Sequence, residues 1–177
     1  MNLPTKYQWL LQETGPKMII ELIRVYGTKE TPGDEDNPVI MKWAKEVGVE
    51  RDYRHDAVPW CGLAMAVIAK RSGKEVNFPP LWAKNWAQFG ERVTDGAQLG
   101  DVLVFTRSGG AGHVGLYIGE DDDCYHVGGG NQADMINIAR VAKDRLYAVR
   151  RPIYKVKPAN VRRILLDKDG EVSRDEA

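Results

Sequence analysis

An α+β domain, with helices in the first half of the chain and an antiparallel sheet of about five strands in the second, is what the sequence predicts. Three observations carry that prediction. Apolar residues recur at helical spacing through the first half. From Gly100 onward the pattern changes to short runs with Gly- or Asp-rich turns between them. Those turns are too short for the crossovers that parallel strands need, so the strands must be antiparallel neighbours in a meander.

Each element follows in order. Tyr7, Leu10 and Leu11 form a short apolar face that ends at Gly15-Pro16, and Met18, Ile19, Leu22, Ile23 and Tyr26 form a second stripe closed by Gly27. After the turn-rich TPGDEDNP, Asn37 is placed as an N-cap with Pro38 in the first helical position. Val39, Ile40, Trp43, Ala44 and Val47 then make a third stripe, stopped at Gly48. Cys61 to Arg71 holds more Ala and Met than β-branched residues and ends at Gly73, so it reads as a helix, and its apolar character all round means burial. In LWAKNWAQFG, Trp82 and Trp86 lie four apart, which predicts both rings on one face of a short helix. The strands are DVLVFTR, HVGLYIG, CYHVG, MINIAR and LYAVRRP, separated by SGGAG, EDDD and GGGNQAD. A single domain over 1–154 is expected, with the charged residues 155–177 as a loosely packed tail.

Composition excludes several roles. Lys plus Arg and Asp plus Glu each number 25 in a chain of 177, so there is no basic surplus to bind nucleic acid or an anionic membrane. No segment reaches the roughly 18 apolar residues of a membrane span. MNLPTKYQWLLQETG lacks the basic region, apolar stretch and cleavage site of a signal peptide, so synthesis and folding in the cytosol are expected. Two cysteines are too few for a disulfide framework, and Cys61 and Cys124 read as thiols.

The chemistry centres on Cys61. A thiol at the start of a helix lies where the helix dipole and free N–H groups favour an anion, which predicts a lowered pKa and an oxyanion site in one place. The bland alternative is an inert buried thiol. Of three histidines, His55 sits in the polar loop RDYRHDA as a surface residue. His113 opens an apolar strand after SGGAG and is placed to act as a base, against the alternative of a histidine at a strand edge. His126 shares a strand face with Cys124; no further ligands stand at metal-binding spacing, so a buried strand pair is the better account than zinc, and neither metal nor cofactor is expected. In GGGNQAD, Asn131 offers an amide that could accept from an imidazole N–H, or serve only as a turn residue.

DAVPWCGLAMA, LGDVLVFTRSGGAGHVGLYIGED and VGGGNQAD, in this order, resemble the NlpC/P60 and CHAP superfamily of papain-like cysteine hydrolases, most of all its phage and prophage subgroup. TKETPGDEDNPVIMKWAKEVG resembles that subgroup's upstream stretch, and the likeness spans about residues 15–152. The resemblance implies a papain-like fold with Cys61 as nucleophile, His113 as general base and Asn131 as the orienting residue. Family members vary at the third position, which keeps His126 as a competitor. Trp60-Cys61-Gly62 departs from the Asp-Cys-Ser of many NlpC/P60 enzymes and leaves the scissile bond open. The implied substrate is peptidoglycan, cut within the stem peptide or between N-acetylmuramic acid and L-alanine. A lysin released through a holin-type partner, or an enzyme carried on a virion tail, would both suit the sequence. Trp60, Trp82, Trp86 and Gly112 are the candidate substrate contacts, each with ordinary packing as the alternative.

Overall fold

The computed structural model describes residues 3–33 and 35–173. Three α-helices, Lys17–Val25 (α1), Pro38–Val47 (α2) and Cys61–Arg71 (α3), are joined by two longer 3-10 helices, Thr5–Gln12 and Ala83–Gln88. Six strands follow: Glu91–Arg92 (β1), Val102–Thr106 (β2), Gly112–Glu120 (β3), Cys124–Gln132 (β4), Met135–Ala142 (β5) and Leu146–Arg151 (β6). The α+β class is as predicted, and every strand pair is antiparallel.

Local chemistry explains the helix limits. Asn37 Oδ1 accepts from Val39 N at 2.7 Å, Pro38 occupies the first turn, and Gly48 ends α2 at φ 79°, where a side chain would be strained. All of α3 from Cys61 to Ala69 is buried. Full burial of Leu63, Met65, Val67 and Ile68 stabilises by about 1.5–3 kcal/mol each. The glycine run of β4 makes this packing possible. A Cβ on Gly128 would meet Leu22 of α1 at 2.3 Å, and one on Gly130 would meet Ala64 of α3 at 2.7 Å. These glycines bring the strand against helices, not against a substrate.

The sheet order is β1-β6-β2-β3-β4-β5. A simple meander therefore holds only from β2 to β5; β6 returns to the far side of β2. β1, only two residues long, was below what periodicity can detect. GGGNQ, expected as turn, is the end of β4, and only the following residues turn, with Ala133 and Asp134 at positive φ.

The helices cover one sheet face, where Val102, Val104, Val114, Leu116 and Ile118 join the main core. Leu103, Phe105, Tyr117, Val127 and Val141 form a smaller cluster on the other face. The expected loose tail instead runs along the domain. Leu99 N donates to Arg162 O at 2.9 Å, Glu120 N to Ile164 O at 2.9 Å, Leu166 N to Glu120 O at 2.8 Å, and Ser173 N to Arg140 O at 2.7 Å. Val161, Ile164 and Leu166 are the anchors that its charged composition conceals. The tail's last four residues, 174–177, lie outside the described ones. Among the described residues, no helix is long and apolar enough to cross a membrane.

Candidate functional site

Cys61 is the first residue of α3, and the chain entering it is held from two directions. Asn131 Oδ1 accepts from Trp60 N at 2.9 Å, and Asn131 Nδ2 donates to Glu30 Oε1 at 3.3 Å. On the other side, a Cβ on Gly62 would meet Pro80 O at 2.3 Å and Leu81 O at 2.7 Å. Gly62 is thus required by close approach, which accounts for Trp-Cys-Gly in this chain. The thiol is only 4% exposed. Burial pushes its pKa up, opposed by the backbone N–H groups of Val114, Gly62 and Cys61 itself. The lowered pKa expected from the helix terminus is therefore corrected: in the closed site desolvation exceeds the pull of those donors.

Those donors tie Cys61 to the start of β3, where the neighbour of Val114 is His113. His113 is fully buried, pairs in register with Phe105, and stacks on its ring at 6.4 Å. Its Nε2 is 3.0 Å from Gln132 Oε1. The Gln132 amide has its orientation fixed, because its Nε2 donates to Val127 O (3.1 Å), Asn137 O (3.0 Å) and Asn137 Oδ1 (2.8 Å). Its Oε1 must then accept from His113, so His113 Nε2 carries a hydrogen, and a neutral ring would have its lone pair on Nδ1. Gln132 therefore occupies the position assigned to Asn131.

The reason lies in the end of β4. Register shifts between Gly129 and Gln132, and Asn131 sits at φ 57°. The irregularity turns the two amides apart, so Asn131 fixes the approach to Cys61 while Gln132 fixes His113. Alternation along β3 directs Val114 into the helix-side core and His113 to the side of Phe105. The backbone N–H of Val114 reaches Cys61, while the His113 ring lies on the Phe105 side of β3.

His126 does not compete for His113. Its Nδ1 faces Tyr7 OH at 2.6 Å and its Nε2 faces Asp121 Oδ2 at 2.9 Å, which Arg140 Nε also reaches at 2.8 Å. Burial pushes the His126 pKa down, against the pull of Asp121. His55 is a surface residue, 3.3 Å from Asp36. Among the described residues, no group of three His, Cys, Asp or Glu side chains could hold a metal ion.

The tryptophans divide. Trp60 and Trp86 are fully buried, the first against Trp43 and the second with its Nε1 donating to Pro80 O at 2.9 Å. Both are core residues, not groove linings. Trp82 is 76% exposed because it precedes the 3-10 helix with extended backbone, so it shares no face with Trp86. Gly112 accommodates packing: a Cβ there would meet Lys84 Cγ at 2.9 Å and Ala83 Cβ at 3.3 Å. Residues 80–84 thus touch Gly62 beside the thiol and Gly112 beside the imidazole, with Trp82 exposed on the same segment.

No protein-family model matches the chain, and no curated protein or solved structure matches it. Gln132 and Glu30 are the site residues that sequence reasoning missed. Gln132 had a signal, being an amide beside Asn131; Glu30, in a turn-rich loop a hundred residues away in sequence, had none.

Proposed function

We propose that this chain is a papain-like cysteine amidohydrolase of the NlpC/P60 and CHAP kind acting on peptidoglycan, with Cys61 as nucleophile, His113 as general base and Gln132 as the residue that orients the base. The observation that supports the reading is the fixed Gln132 amide on His113 Nε2 at the start of β3, with the backbone N–H of the next residue, Val114, reaching Cys61.

In the reaction, His113 Nδ1 takes the thiol proton and the sulfur attacks the amide carbonyl. The new oxyanion would be met by N–H groups at the start of α3. Collapse of the tetrahedral species breaks the C–N bond, and the imidazolium gives its proton to the leaving amine. Water, deprotonated by the same nitrogen, then hydrolyses the thioester and restores the thiol. Desolvation favours the uncharged thiol in the substrate-free site, so the ion pair forms once substrate, bound beside the 80–84 segment, brings polar groups to the sulfur. Trp82, exposed on that segment, supplies a platform for a sugar ring or peptide. Stem-peptide cleavage and cleavage at the muramoyl amide are both compatible with this chemistry, and the phage or prophage role rests on the sequence resemblance.

A second reading, a wall-binding or virion module that keeps the fold without turnover, is favoured by one observation: Cys61 is 4% exposed and His113 not at all. Incubation of the protein and Cys61→Ala with defined muropeptides, followed by mass spectrometry, separates the two. Amide cleavage lost in the variant is expected. Binding without soluble product from either protein would establish the module instead.

A further inference from the structure

The geometry points to a second ligand site, remote from Cys61 and His113, that takes an amphipathic anion: an acidic head group on an aromatic or alkyl body. It is an open cleft of about 910 Å³ lined by the start of α1, the residues following α3, the end of the 3-10 helix Ala83–Gln88 and the segment after β6. That volume lies within the roughly 300–1,000 Å³ of small-molecule sites.

Its walls have two characters. Phe78, Phe89 and Ile153 give an apolar surface, while three lysines, Lys17, Lys74 and Lys155, line it with the single acidic residue Glu75. Lys74 lies 4.7 Å from the Tyr154 ring and donates to Ile153 O, so its ammonium is held at the wall. Burial and the charge of Lys17 push the Lys74 pKa down, the response of a cation without enough negative charge around it. The first turn of α1 adds to this field: Pro16 provides no side-chain cap and no acidic residue follows it. Ser72, 4% exposed, also lines the cavity, and its Oγ has no hydrogen-bond partner among the described residues; the same holds for Tyr154 OH. A polar head group entering here would meet the cations at the wall, with the two partnerless hydroxyls buried behind it, and its body would cover the aromatic side.

None of Cys61, His113 and Gln132 lines this cavity, so occupancy is independent of the proposed hydrolysis. The test is titration of the full chain with 4-phenylbutyrate, followed by backbone amide NMR, alongside 4-phenylbutanamide as the neutral counterpart and acetate as the head group alone. Saturable binding of 4-phenylbutyrate is expected, with shifts centred on Lys74, Phe78 and Ile153 and retained in Cys61→Ala. The amide and acetate should bind about tenfold more weakly or worse, and the paired substitution Lys17→Gln, Lys74→Gln should weaken 4-phenylbutyrate by a similar factor. No saturation at millimolar probe, equal affinity for the neutral amide, or shifts centred elsewhere would overturn the proposal. The comparison of probes needs no variant, so a folding defect in the paired substitution would not affect it.

Discussion

Asn131 and Gln132 are neighbouring amides that differ by one methylene, yet the fold gives them separate tasks. Replacing Gln132 by Ala should leave His113 Nε2 without its acceptor, lower kcat about tenfold or more and shift the acid limb of the pH profile, since the ring would no longer be held in one tautomer. Asn131→Ala should act first on stability, by about 1–3 kcal/mol, because the buried Trp60 N–H loses its partner; thermal melts and steady-state kinetics of the pair would distinguish the two. Gly62→Ala forces a Cβ to within 2.3 Å of Pro80 O and should cost about 1–3 kcal/mol or more, read by chemical denaturation. The His126–Asp121 pair contributes to the acid stability. Burial lowers the His126 pKa below its ordinary 6.5, so the unfolded chain takes up protons first as pH falls. Burial alone would raise the Asp121 carboxyl, but hydrogen bonds from Arg140, from the Asp123 and Cys124 backbone and from His126 hold it below its ordinary 3.8. Both contributions are complete above about pH 6.5 and are lost on acidification, the histidine's below 6.5 and the carboxylate's below about 4. Melting temperature should therefore fall between pH 7 and 5, and His126→Gln should flatten that slope.

At the scale of elements, the helices were legible because their signals are local. The Asn37-Pro38 start, the Gly48 stop and the unbroken apolar run after Cys61 each follow from residues within a few positions, and Asn37→Ala should cost about 1 kcal/mol of stability by removing the cap on Val39 N. The existence of β2 to β6 was legible for the same reason, and that of the two-residue β1 was not. Pairing was not: β6 lies beside β2 because its partner is chosen across more than forty residues, and nothing in LYAVRRP specifies it. The bulge at the end of β4 was equally hidden, and it decides which amide reaches His113. The Trp82 and Trp86 pair failed because a 3-10 turn and an extended residue before it replace the α-helical spacing that would have aligned them.

Across the whole molecule, residues 155–173 belong to the folded unit. Val161, Ile164 and Leu166 alternate with charges, so average composition reads as solvent-exposed while individual side chains join the core. Removal of residues 155–177 should lower unfolding stability by at least about 2–3 kcal/mol, the scale of one or two buried aliphatic side chains, as measured in denaturant. The candidate site belongs to the same long-range class of feature: the sequence marks Cys61 and His113 individually, and only the tertiary arrangement of α3, β3 and β4 sets Val114 N–H against Cys61 and Gln132 against His113. The central claim is that these two residues act as one covalent catalyst. Rapid-quench intact-mass analysis of the protein with a defined muropeptide, followed by peptide mapping, tests it directly. A transient acyl adduct on Cys61, absent in Cys61→Ala and no longer formed at a measurable rate in His113→Ala, is the predicted result. Product formation that persists in Cys61→Ala, with no adduct on the thiol, would contradict it.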